Sequence, residues 1–178
     1  RIRAAAAARF AADGFERTRL ADVARDAGVA VGTIYLRHRD KAALLAAVLA
    51  EMEARFAAAM DAPALWAIPW PARFEAVFTG VIALALASPR DRRLMAMAVH
   101  AEGAGWRRGA AIRAAIARHL ADGQATGAFR REVDPDLAAA IAFGMVDGAL
   151  AAISGPDGPA PESAARHLAE EASRRLCR

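Results

Sequence analysis

Residues 18–38, TRLADVARDAGVAVGTIYLRH, have the pattern of two short helices joined by a sharp turn. Ala24 is small enough to let the helices cross closely. Gly28, four residues later, adopts the backbone conformation of such a turn more easily than other residues do. Val29 and Ile34 are spaced to pack the second helix onto the first. The residues that would receive them there are Leu20, Val23 and Ala27. The spacing predicts a helix-turn-helix, although many other helix hairpins share it.

The remainder of the chain also has the pattern of helices separated by well-spaced glycines and prolines. Helices are predicted over residues 2–13, 18–28, 31–37, 41–60, 71–87, 90–101, 107–125, 134–153 and 162–175. Thr18, Asp40 and Asp134 are the predicted N-terminal caps, since short polar side chains accept hydrogen bonds from the first helical turn. The segment DAPALWAIPWPA, residues 61–72, indicates a boundary between a small N-terminal domain and a larger remainder. The predicted fold class is all-α, with about nine helices.

The positive charge of the chain is concentrated in its first quarter. Residues 1–45 contain nine basic and five acidic residues, a net charge of +4, which equals the formal net charge of the whole chain. Such a field attracts phosphate groups and makes binding to them dependent on salt. An ordinary solvated basic surface would give the same count, so charge alone leaves both interpretations open.

Few residues have the spacing of a catalytic or metal site. His38, His100, His119 and His167 are scattered, without the i, i+4 pair of a helical metal site. There is no GxSxG motif and no phosphate loop, and Cys177 is the only cysteine. We therefore expect no enzymatic activity, no cofactor and no bound metal. The single cysteine, the lack of an 18-residue apolar run and the lack of a signal peptide fit a cytoplasmic protein.

The order of residues around the turn is more specific than the turn itself. GFERTRLADVARDAGVAVGTIYLRHRDKAALL, residues 14–45, resembles the N-terminal domain of the TetR family of bacterial transcriptional repressors. The similarity covers about residues 2–50, and VDPDLAAAIAFGMVDGAL, residues 133–150, is also typical of the family. The resemblance implies a three-helix, helix-turn-helix DNA-binding domain over residues 1–45 and a larger helical ligand-binding and dimerisation domain over residues 46–178. It also implies a homodimer that binds a palindromic DNA operator and is released by a small, apolar or aromatic molecule.

The same resemblance implies DNA contacts for nine residues. Thr18 and Arg19 would contact backbone phosphates, and Lys41 would add charge at a helix N-terminus that already favours phosphate. Tyr35 would place its hydroxyl on a phosphate or near a thymine. The residues facing the major groove would be Ala30, Val31, Thr33, Leu36 and Arg37.

Some residues of this segment need an interpretation of their own. Val31 and Leu36 would discriminate by packing on thymine methyl groups, and Arg37 is the candidate for a guanine contact. The alternative is that Val31 and Leu36 face the core or the solvent. His38 and Arg39 depart from the family pattern, which usually has an apolar residue followed by a turn residue such as proline. His38 either orders the turn as a half-buried side chain or points to the phosphate backbone.

Bulky apolar residues recur after residue 61. The candidate ligand-binding residues are Trp66, Trp70, Phe74, Phe78, Met95, Met97, His100 and Trp106. Phe74 and Phe78 share one helix face, and tryptophan and methionine suit a pocket for a flat or apolar molecule. His100 is a candidate polar anchor. For any single residue a place in the ordinary core is the simpler interpretation, and only the set indicates a pocket.

Small residues recur at four-residue spacing in the helix predicted over 134–153. Gly144 and Gly148 would let two helices approach closely, and the resemblance implies that the last two helices form a four-helix dimer interface. The candidate interface residues are Leu137, Ile141, Gly144, Gly148, Leu150 and Leu168. Close packing inside one subunit is the alternative.

A different class of function stays open. A helical regulator that acts through protein partners, without a small-molecule effector, would have the same helices and the same lack of catalytic motifs. Specific binding to a palindrome would favour the repressor, and turnover of a bound small molecule would favour an enzyme.

Overall fold

The computed structural model describes residues 1–70, 72–103 and 107–153, which form helices joined by turns. In chain order they are α1 Ile2–Arg17, α2 Leu20–Ala27, α3 Val31–Tyr35, α4 Lys41–Met60, α5 Pro63–Trp66, α6 Ala72–Ala87, α7 Pro89–Ala96, a 3-10 helix Ala98–Ala101, α8 Ala110–Ala125 and α9 Pro135–Ile153. The predicted all-α fold class is confirmed. The helix predicted over 162–175 lies outside the described residues.

The chain forms two compact units. The first contains Arg1–Glu53 together with Ser88–Arg108, and the second contains Ala54–Ala87 together with Gly109–Arg178. The first unit therefore includes α7 and the 3-10 helix besides the helix-turn-helix. The functional boundary at residue 45 stays a prediction.

Several helix ends follow from local sequence. Gly14 interrupts α1 with a φ of 80° and a ψ of 168°, where the first helix was predicted to end. Asp40 Oδ1 accepts a hydrogen bond from the backbone N of Ala43 at 2.7 Å. Asp134 Oδ1 accepts one from the backbone N of Leu137 at 2.8 Å. Both aspartate caps are confirmed.

The predicted Thr18 cap is wrong. α2 begins at Leu20, and the residue that flanks its N-terminus is Arg19. Thr18 is 3% exposed, and its Oγ1 donates to the carbonyl oxygen of Gly14 at 2.7 Å. The hydroxyl therefore serves the last turn of α1 instead of the first turn of α2.

Two predicted helices are shorter than expected. α3 ends at Tyr35, two residues before the predicted end at residue 37. The helix predicted over 90–101 ends at Ala96, and the chain continues after Met97 as a 3-10 helix. A 3-10 helix has 3.0 residues per turn instead of 3.6, so residues beyond Met97 face different directions from those that α-helical spacing predicts.

The helix-turn-helix is closed by Gly28 and anchored by Ile34. Gly28 has a φ of 66° and a ψ of 41°, the left-handed conformation that ends many helices. The backbone N of Val29 donates to the carbonyl oxygen of Ala24 at 3.0 Å across this turn. The fully buried side chains around Ile34 in the first unit include Ala6, Phe10, Val23, Leu44, Leu45 and Leu49.

We expect Gly28→Ala to lower the free energy of unfolding by about 1–2 kcal/mol, because a Cβ makes the left-handed conformation unfavourable. An added Cβ at Gly28 meets no atom within 4 Å, so the cost is one of backbone conformation alone. Gly32→Ala is the matched control: Gly32 also has no neighbour within 4 Å but lies inside α3. It should be neutral or stabilise by up to about 1 kcal/mol. Urea denaturation measures both, and equal effects of the two variants would contradict the assignment.

Candidate nucleic-acid interface

Ile34 fixes α3 to the first unit and determines which neighbours face outward. Ile34 is fully buried, whereas Val31, Tyr35 and Leu36 are 42%, 55% and 87% exposed. Val31 and Tyr35 are four residues apart and so lie on one side of the helix. Val31 and Leu36 therefore do not face the core, and α3 presents apolar side chains to the solvent.

The other predicted base-facing residues flank this apolar surface. Ala30 and Arg37 are exposed before and after α3, and Thr33 is half-buried within it. Arg19 is exposed at the start of α2. The segment thus combines outward apolar side chains with guanidinium groups. Guanidinium groups bind phosphates and guanine edges bidentately, and apolar groups can pack on thymine methyls.

Lys41 holds the start of α4 in place. Its Nζ donates to the carbonyl oxygens of Glu16 at 3.0 Å and Thr18 at 3.3 Å. It also lies 4.5 Å from the ring centroid of Phe15, within cation–π distance. The ammonium group therefore fastens α4 to the segment between α1 and α2. Phosphate contacts by Lys41 and Thr18 stay predictions.

An ion pair that the sequence reasoning missed joins α1 to α2. Arg9 donates from Nε and Nη2 to the two carboxylate oxygens of Asp26, at 2.6 and 3.1 Å. This hydrogen bonding holds the pKa of Asp26 below its ordinary value, against the opposing effect of burial. The charge of Arg9 is thus balanced by Asp26 inside the first unit. Counting basic residues in the sequence does not separate such a paired arginine from the exposed Arg19 and Arg37.

His38 is half-buried directly after the reading segment. Its backbone N donates to the carbonyl oxygen of Ile34 at 2.9 Å. Burial, followed by the nearby charges of Arg3 and Arg37, lowers its pKa, so the ring is neutral at neutral pH. A neutral half-buried ring favours the turn-ordering role over attraction of phosphate.

The candidate ligand residues divide between the two units. Trp66, Trp70, Phe74 and Phe78 lie in the second unit, and Met95, Met97 and His100 lie in the first. Trp106 lies outside the described residues. The structure therefore brings together the four aromatic residues of this set without showing one pocket for all eight.

His100 has a different setting from the predicted pocket anchor. Its ring stacks on that of Phe15, with centroids 4.5 Å apart and planes at 7°. Its Nδ1 lies 4.0 Å from Oε1 of Glu16, and the side chain is 37% exposed. The 3-10 turn after Met97 gives His100 this position. A ligand-binding role for it stays a prediction.

The four aromatic residues form a continuous cluster. Trp70 and Phe74 have ring centroids 6.1 Å apart, and Phe74 and Phe78 have centroids 4.5 Å apart. Phe129, which the sequence reasoning missed, meets Trp70 edge-on at 4.7 Å. His119, also missed, stacks on Trp66 at 4.3 Å. We call Trp66, Trp70, Phe74, Phe78, His119 and Phe129 the aromatic cluster.

A buried polar network supports the aromatic cluster. Arg73 is 8% exposed, and its Nη1 contacts Oδ2 of Asp122 at 2.5 Å. Its Nη2 and Nε donate to the carbonyl oxygens of Trp66 at 3.1 Å and Ile68 at 2.8 Å. Asp122 also accepts from Trp70 Nε1 at 3.2 Å. Although burial opposes it, these hydrogen bonds hold the pKa of Asp122 below its ordinary value. No local sequence pattern indicates this network, since Arg73 and Asp122 are 49 residues apart.

One face of α9 is apolar and exposed in the part of the chain that the structure describes. Leu137 and Ile141 are 61% and 58% exposed. Gly144 and Gly148 are exposed as well, and all four lie along one side of the helix. An added Cβ at either glycine would meet no described atom within 4 Å. The side chain of Leu150 and the whole of Leu168 are outside the described set.

The N-terminal part of the first unit matches a known family. Residues 2–48 match the family model described as bacterial regulatory proteins, tetR family. This match assigns a TetR-type N-terminal region to residues 2–48. The match covers every residue predicted to contact DNA and confirms the resemblance found from the sequence. No curated protein sequence matches the chain.

Solved TetR-like structures share the fold over almost the entire chain. A TetR-family transcriptional regulator from Pectobacterium atrosepticum has a TM-score of 0.78 and 24% identity, covering 99% of this chain and 92% of its own. RolR in complex with resorcinol has a TM-score of 0.76 and 23% identity, covering 99% and 85%. FadR from Bacillus subtilis in complex with stearoyl-CoA has a TM-score of 0.74 and 17% identity, covering 97% and 96%. Identities this low establish the shared fold alone.

The family matched by residues 2–48 is one of bacterial regulatory proteins. Within the described ranges, no group of three or more His, Cys, Asp or Glu side chains is placed to hold a metal ion. No single helix of those ranges is long and apolar enough to cross a membrane. Ala72–Ala85 and Pro89–Ala96, joined at a bend, meet that criterion only when taken together.

Proposed function

We propose that this TetR-family protein is a cytoplasmic repressor that binds a palindromic DNA operator as a homodimer and is released by a small apolar or aromatic molecule. The observation that carries the DNA-binding part is the outward exposure of Val31, Tyr35 and Leu36 on a helix anchored by Ile34. A protein without a binding partner gains no stability from exposing three large side chains on one short helix. Inserted in a major groove, they gain contacts with base edges.

A dimer is needed because one five-residue reading helix makes few base contacts. Two copies related by a two-fold axis read two half-sites and multiply the affinity. The exposed apolar face of α9 supports this assembly, since Leu137 and Ile141 would be covered by the same residues of a second copy.

An effector is supported by the aromatic cluster and by the structural neighbours. RolR binds resorcinol and FadR binds stearoyl-CoA within this fold. We propose that Trp66, Trp70, Phe74 and Phe78 contact the effector of the present chain, and that Met95, Met97 and Trp106 remain candidates for the same role. α4 contains residues of both compact units, so it is the candidate lever by which the ligand changes the spacing of the two reading helices.

The alternative is a regulator that acts through protein partners without an effector. The Arg73–Asp122 ion pair places charged groups beside the aromatic cluster, where a purely structural core would be apolar. This favours the function with a small-molecule effector over the alternative without one. No catalytic role and no cofactor are part of the proposal.

We expect the protein to bind a palindrome from its own upstream region, with an affinity that falls steeply as salt increases. Replacing thymines under Val31 and Leu36 by uracil should weaken binding about fourfold per methyl group, the contribution of one buried methylene-sized group. Fluorescence anisotropy of labelled duplexes measures both effects.

Leu36→Ala should weaken binding to the thymine duplex and reduce its advantage over the uracil duplex by about fourfold, the part that comes from the methyl group under Leu36. Leu84→Ala is the control, because Leu84 is also exposed, at 39%, but lies on α6. Binding of the palindrome no tighter than a scrambled duplex would refute operator recognition. An equal thymine preference in Leu36→Ala would refute only the methyl contact of Leu36.

We expect Leu137→Asp and Ile141→Asp to convert the dimer to monomers, because each places an unpaired carboxylate in an apolar interface. Ala58→Asp, at an exposed position of α4, should leave the dimer intact. Sedimentation velocity gives the oligomeric state, and circular dichroism verifies that the variants are folded. Dimers that persist in both α9 variants would show that another surface holds the copies together.

A further inference from the structure

The imidazole of His119 is buried with one nitrogen that has no hydrogen-bond partner. His119 is 2% exposed, and its Nε2 lies 2.8 Å from the carbonyl oxygen of Met60. A carbonyl oxygen only accepts, so Nε2 carries the proton and donates. Burial also lowers the pKa of His119, which keeps the ring neutral. Nδ1 therefore holds a lone pair directed into the protein interior.

A second acceptor nearby is in the same situation. Among the described residues, His119 Nδ1 and Asp61 Oδ1 are buried atoms without a hydrogen-bond partner. Asp61 follows Met60 in the chain, its charge acts on His119, and its Oδ2 is occupied by Arg118. Both unsatisfied atoms are acceptors. The described residues around them supply no donor, so the missing partner is a molecule that donates hydrogen bonds.

The surroundings of His119 indicate what kind of donor fits. Trp66 stacks on the imidazole with centroids 4.3 Å apart, and Trp70 presents its edge at 6.5 Å. The imidazole therefore lies among aromatic rings, and such surroundings favour an aromatic ligand. Arg73 places Nε, Nη1 and Nη2 on protein oxygens, so three of its five N–H donors are used within the protein.

The local charges indicate a neutral molecule. The two guanidinium groups of Arg73 and Arg118 are paired with the two carboxylates of Asp122 and Asp61. The set has no net charge, and it attracts neither an anion nor a cation.

We propose that the effector of this regulator is a neutral hydroxylated aromatic molecule whose hydroxyl donates to Nδ1 of His119. This inference rests on the proposed function in assuming an effector, and it names the chemical class and the residue that selects it. His119 is the specificity-determining residue, and the aromatic cluster supplies the apolar contact.

The test compares phenol with toluene, two probes of nearly equal size that differ by a hydroxyl in place of a methyl group. Quenching of intrinsic tryptophan fluorescence measures binding to the full chain. The wild-type protein should bind phenol at least about fivefold more tightly than toluene, the effect of one net hydrogen bond. His119→Phe should keep toluene binding and lose the preference. His38→Phe is the matched control, because His38 is a half-buried histidine of the first unit outside the candidate ligand-binding set, and it should keep the preference.

A second measurement does not depend on a variant that folds. In the wild-type protein labelled with ¹⁵N-histidine, phenol should shift the Nδ1 resonance of His119, and toluene should not. Equal affinities for the two probes, no binding of phenol up to its solubility limit, or an unmoved Nδ1 resonance would overturn the proposal. In each of these cases water satisfies Nδ1.

Operator binding is measured separately, so the two proposals fail independently. Specific operator binding without a phenol preference would overturn this inference and leave the repressor. A His119-dependent phenol preference in a protein that binds no operator would support the site and overturn the repressor.

Discussion

Burial of Ile34 is the contact on which the DNA-facing surface depends. α3 has five residues, too few to be stable as an isolated helix. Its position comes from the left-handed turn at Gly28 and from the burial of one isoleucine, a contribution of roughly 1.5–3 kcal/mol. With Ile34 fully buried, Val31, Tyr35 and Leu36 remain exposed on the same short helix and its end. The same contact therefore explains both the stability of the reading helix and the surface that it presents.

Polar contacts then fix the helices that carry α3. The bidentate pair between Arg9 and Asp26 joins α1 to α2, and Lys41 joins α4 to the segment between them. These charged groups serve the geometry of the first unit. The second unit uses Arg73 in a similar way, with a guanidinium that donates to Asp122 and to two carbonyl oxygens. His119 differs from them, because its burial leaves an acceptor for a molecule from outside the chain.

Features determined by neighbouring residues were predictable from the sequence. The left-handed Gly28, the aspartate caps at Asp40 and Asp134 and the helix-turn-helix itself depend on residues within a few positions of one another. The family match likewise depends on one contiguous segment, residues 2–48. The predicted Thr18 cap was wrong because a threonine hydroxyl can either accept from the helix that follows or donate to the helix that precedes it. Here it donates to the carbonyl oxygen of Gly14 in the preceding helix.

Features that depend on distant contacts were not predictable in this way. His119 meets a carbonyl 59 residues earlier, and Arg73 meets a carboxylate 49 residues later. Abundant alanine hides the periodicity that would show which faces of these helices meet. His100 was a candidate polar anchor on residue type alone, and the sequence did not show that the chain changes to a 3-10 helix after Met97. The ligand-binding and dimer assignments of individual residues stay predictions.

Tyr35 allows the most direct test of the central claim, that α3 enters the operator. It is the only tyrosine in the chain and is 55% exposed. Incorporation of 3-fluorotyrosine therefore gives a single ¹⁹F resonance on the reading helix. At a salt concentration where a scrambled duplex dissociates, the operator duplex should shift and broaden this resonance. A complex that forms with the operator, as shown by anisotropy, while the Tyr35 resonance stays unchanged would contradict the account.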